Sequence, residues 1–135
     1  MESRRLAVAS LAVALSAVGC GRADDQQAVA GVTERFLNAV ADGNGAEACA
    51  QLSDGAQRAL EQDESKPCPE AARELEGEID SSRVAHADVF ATTAKVDLTD
   101  GQSAFLELTS RGWRLAAAGC RPTGADEPYE CEVEA

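Results

Sequence analysis

The sequence predicts an α+β domain in which N-terminal helices pack on a curved four-stranded antiparallel sheet, followed by a disulfide-stapled C-terminal tail. Three observations carry this. Apolar residues recur at helical spacing from Val29 to Leu75, and the period changes to two between Val84 and Ala117. Asp100-Gly101 separates two of the alternating runs, which is a strong signal for a tight hairpin. Helices first and strands afterwards place the helices on the apolar face of a meander.

The elements follow in order. Asp24 or Asp25 is suited to cap a first helix, in which Val29, Val32, Phe36 and Val40 share a face with Leu37 beside them. Gly43 or Gly45 ends that helix. Asn44 followed by Glu47 reads as a capping box for a short second helix that turns Ala46, Cys49 and Leu52 inward. Ser53 or Asp54 caps a third helix with Ala56, Ala59 and Leu60 on one side. Glu61–Lys66 has no apolar residue and reads as a loop. Pro69 suits the first position of a fourth helix, with Ala71, Ala72 and Leu75 apolar and Gly77 as its stop. The acidic set Glu70, Glu74, Glu76, Glu78 and Asp80 lacks regular ligand spacing and reads as a solvated face rather than a cation site.

Val84–Ala91 is the first strand, with Ala85, Ala87 and Val89 as its apolar alternate, and Thr92-Thr93 the turn that follows. Ala94, Val96 and Leu98 alternate with Lys95 and Asp97, and Ala104, Leu106 and Leu108 with Phe105, Glu107 and Thr109. Arg111-Gly112 turns the chain into Trp113, Leu115 and Ala117.

Ahead of these elements, Arg4 and Arg5 precede an apolar run from Leu6 to Val18, closed by Ala17-Val18-Gly19-Cys20. This reads as an export leader. With Cys directly after the small residues it resembles a bacterial lipoprotein signal. That resemblance implies cleavage before Cys20, diacylglycerol on its thiol, and residence on the extracytoplasmic face of the cell membrane. The run is shorter than the roughly 20 residues that span a bilayer. Ser3-Arg4-Arg5 hints at twin-arginine export, but Ala7 and Val8 fit that signal poorly, so the ordinary secretory route is expected. The expected organisation is a leader over 1–19, a tether over 20–24, a domain over 25–118 and a disulfide-closed tail over 119–135.

The leader holds two of 12 basic residues and one of 24 acidic ones, so its removal moves the net charge from −12 to −13. Such a surface repels phosphate backbones, which argues against nucleic-acid binding. It repels anionic headgroups too, leaving membrane lipid on Cys20 as the expected anchor. Four other cysteines remain. In an exported chain these read as two disulfides, and Cys49–Cys68 with Cys120–Cys131 is the pairing that closes two short, Pro-containing loops. Without any C-x-x-C spacing, zinc is the weaker reading, and no cofactor is expected.

The helix Val29–Val40 leading into Asp42-Gly43-Asn44, then Ala46–Leu52, and the hairpin Phe105-Leu106-Glu107-Leu108 to Gly112-Trp113-Arg114-Leu115 carry a further resemblance. Over residues 25–118 the chain is similar to actinobacterial lipoproteins of the nuclear transport factor 2-like superfamily, the cystatin-like cone fold. The tail from Gly119-Cys120 to Tyr129-Glu130-Cys131 is also similar to those lipoproteins, although a plain cone domain ends at its last strand. The resemblance implies a pocket between sheet and helices, where family enzymes such as ketosteroid isomerase place Asp and Tyr. Here Tyr129 is the sole tyrosine and lies in the tail.

The residues singled out for a pocket are Phe36, His86, Asp88 and Trp113, with Asp97 and Glu107 the other titratable strand positions. His86 and Asp88, two apart, share a sheet face and suit an oriented general base, but the apolar alternate puts that face in solvent. Trp113, Phe36 and Phe105 suit packing anchors better than ligand stacking. Small Ala94, Ala104 and Ala117 on the inner face leave either a cavity or room for close helix packing. The expected function is a non-catalytic binding or accessory module for a protein partner. Carriage of a small apolar ligand comes next, and an isomerase or dehydratase last.

Overall fold

Val29, Val32, Phe36 and Val40 fall three or four residues apart, and all four are buried along one face of helix α1, Cys20–Ala41. Each such side chain contributes about 1.5–3 kcal/mol when removed from water. The computed structural model describes residues 20–79 and 82–135, so residues 1–19, expected as a leader, and the side chain of Cys20 lie outside the description. Residues 20–24, expected as a tether, are the first turn of α1. Asp25 is therefore inside the helix rather than its cap, and its Oδ1 accepts a 3.1 Å hydrogen bond from Trp113 Nε1. Gly43, at φ 66°, closes α1 in a Schellman arrangement, with Gly43 and Asn44 amides donating to Val40 and Ala39 carbonyls.

Asn44 Oδ1 then accepts from Glu47 N and opens α2, Gly45–Gln51. The box is half-formed, because the Glu47 carboxylate accepts from Gln51 Nε2 instead. Ala48, Cys49 and Leu52 face inward and Ala46 is exposed, a correction of one helical position. Gly45 sets this phase. A Cβ there would fall inside the van der Waals shell of the Pro69 carbonyl oxygen, so α2 starts flush against the fourth helix. Ser53 Oγ accepts from Ala56 N to start α3, Asp54–Glu64. That helix runs through most of the stretch expected as a loop, since Glu and Gln favour an exposed helix and Ser65 ends it only at φ 54°. Helix α4, Cys68–Glu74, has Pro67 as its N-cap, one residue earlier than expected. Cys49–Cys68 ties α2 to α4 with Cα atoms 6.0 Å apart. Closing a loop of this size stabilises by about 3 kcal/mol in the chain-entropy account.

Five strands, not four, make one antiparallel sheet in sequence order: β1 Val84–Phe90, β2 Thr93–Leu98, β3 Ser103–Thr109, β4 Gly112–Cys120 and β5 Val133–Glu134. The fifth comes from the tail and pairs Ala117 with Glu134 and Ala118 with Val133. The β1–β2 turn is Ala91-Thr92, with Ala91 at φ 53° and Thr93 already in the strand. Three bulges interrupt the ladders; one is an extra residue of β4 between the Ser103–Cys120 and Phe105–Ala117 pairs, and the other two shift the expected alternation. One between Val84 and His86 leaves Ala85 exposed and lets Val84 pack on the core. The other makes Ala116 an extra residue between the Phe105–Ala117 and Leu106–Leu115 pairs. Beyond it Ala118 joins the core, while Ala117, expected inside, opposes Phe105 on the other face.

The helices cover the face bearing Ala94, Val96, Leu98, Ala104, Leu106 and Leu115, which forms a continuous core with Phe36, Leu52 and Leu60. Replacing Gly45 by Ala is expected to lower the melting temperature by more than an ordinary helix substitution, because the Pro69 backbone has to retreat. An unchanged thermal unfolding midpoint would show that α2 and α4 do not meet there.

Candidate functional site

Alternation along β2 and β3 sends Lys95, Asp97, Phe105 and Glu107 to the face opposite the helices. Strand register aligns them in rows. Asp88 opposes Lys95, which opposes Phe105, which opposes Ala117; His86 opposes Asp97, which opposes Ser103. The tail adds the remaining member. Cys120–Cys131 turns the chain back on itself, and Arg121 and Glu130 exchange backbone hydrogen bonds of 2.7 and 3.0 Å. Tyr129 is thereby laid edge-on against Phe105, with ring centroids 5.2 Å apart at 72°. Lys95 Nζ sits 5.6 Å from the Tyr129 ring centroid.

Asp97 is the electrostatic centre of this patch. Its Oδ1 lies 2.9 Å from Lys95 Nζ and accepts a 2.8 Å hydrogen bond from Ser103 Oγ. The bond from Lys95 holds the Asp97 carboxyl below its ordinary value, and the Ser103 hydroxyl adds to the shift against partial burial. Reciprocally, Asp97 and then Tyr129 hold the Lys95 ammonium above its ordinary value. Both groups are thus fixed in their charged forms near neutral pH. Proton transfer needs a group poised between its two states.

Of the residues predicted for a pocket, Phe36 and Trp113 are buried in the core, whereas His86 and Asp88 stand on the outer face of β1. His86 Nε2 meets Asp88 Oδ1 at 3.0 Å, but the two side chains are 62% and 46% exposed. The four are not brought together. Ser103 bonds directly to a carboxylate and the imidazole faces a different one, so His86 does not activate Ser103 as a nucleophile. Glu107 also stands outside, level with Thr93 and Arg114. Among the described residues, no three His, Cys, Asp or Glu side chains gather as a metal cage.

Two shallow grooves meet at Phe105 and Ala116. One, of about 330 Å³, continues to Tyr129 and Ala135; the other, of about 360 Å³, continues to Phe90 and Lys95. A third, of about 460 Å³, runs between α1 and β1 along Gln26, Ala30 and Val84–Ala87. Phe105, expected as a packing anchor, stands on the outer face instead, because it alternates with the inward Ala104 and Leu106, and its pairing with Tyr129 was not read from the sequence. Its signal was the apolar Phe105 at a polar alternate position, together with a tyrosine two residues before a cysteine expected to loop back. Comparison with family models, curated proteins and solved structures returned no match.

Replacing Lys95 by Ala should move the Asp97 carboxyl back up toward 3.8, its ordinary value. Because the folded-state value is the lower one, the stabilisation from this pair is complete above the unfolded value and fades as pH falls through the folded one. Carboxyl NMR titration of both proteins reads the shift. Coincident curves would show that Lys95 does not hold Asp97.

Proposed function

We propose that the chain is an extracytoplasmic lipoprotein, anchored through diacylglycerol on Cys20, whose domain is a non-catalytic binding module of the nuclear transport factor 2-like, cone type. The observation that carries the module reading is the distribution of chemistry. His86, Asp88, Asp97, Glu107 and Tyr129 all stand outside the sheet, and the space between sheet and helices is filled by apolar side chains. A protein partner is recognised on the outer face, with Phe105 and Tyr129 as aromatic anchors and the locked Lys95–Asp97 pair beside them.

The other two functions rank lower on the same grounds. An apolar ligand inside the domain would have to displace Phe36, Leu106 or Leu115, each at most 2% exposed and already in contact with the core. An isomerase or dehydratase needs acid and base converging on a shared substrate position, and here His86 bonds to Asp88 and Lys95 to Asp97 on the outer face instead. Antiparallel strands following the helices support the cone assignment, while β5 and the stapled tail extend beyond it.

Fatty-acid labelling of the exported protein and of Cys20→Ala tests the anchor. Label and membrane association are expected for the first protein and neither for the second. Equal labelling of both would place the acceptor elsewhere. The module reading is tested separately, with a photo-cross-linking residue at position 105 and another at exposed position 62 of α3. A discrete adduct that forms only from 105, and is lost on Tyr129→Ser, is expected. Indistinguishable adduct patterns from the two positions would remove the outer face as the binding surface.

A further inference from the structure

Phe90 and Leu108 are the large apolar side chains that the described residues leave in water, at 60% and 47% exposure. Their positions in the sheet are linked. Phe90 ends β1 opposite Thr93, the Leu108 amide donates to the Thr92 carbonyl at 2.8 Å, and Leu108 opposes Trp113. Both therefore belong to the end of the sheet formed by the turns Ala91-Thr92 and Ser110-Arg111. The start of α1 approaches this end: Asp25 accepts from Trp113 Nε1, and Gln26 Nε2 donates to the Ala87 carbonyl midway along β1, about 10 Å short of Phe90 at roughly 3.3 Å per residue. From there α1 runs away from this end, and its later residues Glu34, Leu37 and Asn38 lie beside Ser82 and Arg83 just before β1. Cys20 precedes Asp25 by five helical residues, or about 7.5 Å at 1.5 Å per residue. It thus lies level with the turn tips, with no extended spacer.

We infer that this end of the domain rests on a phospholipid bilayer, with Phe90 and Leu108 seated in the interfacial zone beside the lipid on Cys20. The inference rests on the lipoprotein reading and adds an orientation to it. A flexible tether would let the domain tumble above the membrane. A helix that starts at the acylated residue and is pinned to β4 by Trp113 does not. The contact is apolar rather than electrostatic, because the cations here are offset: Arg111 pairs with Asp54, and Arg22 is followed by Asp24 and Asp25. Neutral headgroups therefore suffice. Phe90 lines the far end of the groove that reaches Phe105, so the bilayer takes the Phe90 end of the outer face and the Tyr129 end is left to a partner.

Trp113 is the single tryptophan of the chain and lies beside Leu108, so its emission reports the distance of this end from lipid. The exported lipoprotein is reconstituted in phosphatidylcholine vesicles that carry nitroxide on their headgroups, and Cys20 acylation is established by mass spectrometry of the same sample. Loss of Trp113 emission relative to nitroxide-free vesicles is expected, insensitive to salt. In the acylated Phe90→Ser, Leu108→Ser double variant that loss is expected to shrink while vesicle association persists; both sites are exposed, so folding is checked by its unfolding midpoint. Acylated protein with unquenched Trp113 would overturn the orientation, and equal quenching in the variant would overturn the seating of Phe90 and Leu108; either result leaves the anchor standing. An unmodified Cys20 would overturn the lipoprotein reading and the orientation with it.

Discussion

Backbone groups on the far edge of β4 need partners, because β3 satisfies only one side of that strand. Two distant segments, the α2–α3 junction and the C-terminal tail, supply them. Ser53, between α2 and α3, donates its amide to the Leu115 carbonyl at 2.8 Å; Ala135 donates to Ala116 at 2.9 Å; β5 pairs with Ala117 and Ala118. A buried amide or carbonyl left without a partner costs about 1–3 kcal/mol, so this edge dictates where the helical half and the tail must go. Trp113 at the start of the same strand holds the beginning of α1. The helices, the tail and the sheet thus converge on β4. The opposite edge, β1, is blunted differently: a bulge bends it, and Gln26 occupies one of its outward carbonyls.

Two residues of strand cannot hold a tail by themselves. The Cys120–Cys131 bridge favours β5 by restricting the loop between the two cysteines, and the Arg121–Glu130 exchange continues the ladder across its base. Gly119 lets the chain leave β4 at φ 67°, where a Cβ would also crowd Glu132 and Ile79. Most of this tail is exposed and acidic, so its order owes little to burial. Val133, at 1% exposure, is its main apolar attachment, and Tyr129 the other. A disulfide, a glycine and a single valine thereby deliver an aromatic side chain to a sheet face that lies far from it in sequence.

Periodicity made most of the secondary structure legible, because the physics behind it is local. The α1 face, the Asn44 and Ser53 caps, the Asp100-Gly101 hairpin and both disulfide pairings follow from short-range residue patterns. What was not legible depends on contacts between distant segments. The phase of α2, with Ala48 inward in place of Ala46, is set by Gly45 against Pro69. The bulges at Ala85 and Ala116 are invisible to strict alternation: the first turns Val84 toward the core in place of Ala85, and the second puts Ala118 there in place of Ala117. β5 is too short for any periodic signal and exists through its pairing with β4. The outer-face patch was missed for the same reason, since Tyr129 reaches Phe105 and Lys95 only after the tail has folded back. For His86 and Asp88 the alternation rule, applied to the strand alone, was enough to put both in solvent.

Core composition connects these features to the proposed role. The inner face of the sheet offers Ala94, Ala104 and Ala118 to the helices, and the helices return Ala39, Ala48, Ala56, Ala71 and Ala72. Small residues on both sides allow close approach, so the volume that a cone of larger side chains would hold apart is taken up by Phe36, Leu52 and Leu106. Chemistry in such a domain has to be displayed outward. There, a carboxylate and an ammonium locked in their charged states make poor proton-transfer groups but a rigid polar rim, since each restricts the other's rotamers beside a fixed aromatic pair. Pre-ordered side chains lose less entropy on binding than free ones. The features that argue against catalysis on this face are therefore the ones that suit it for recognition.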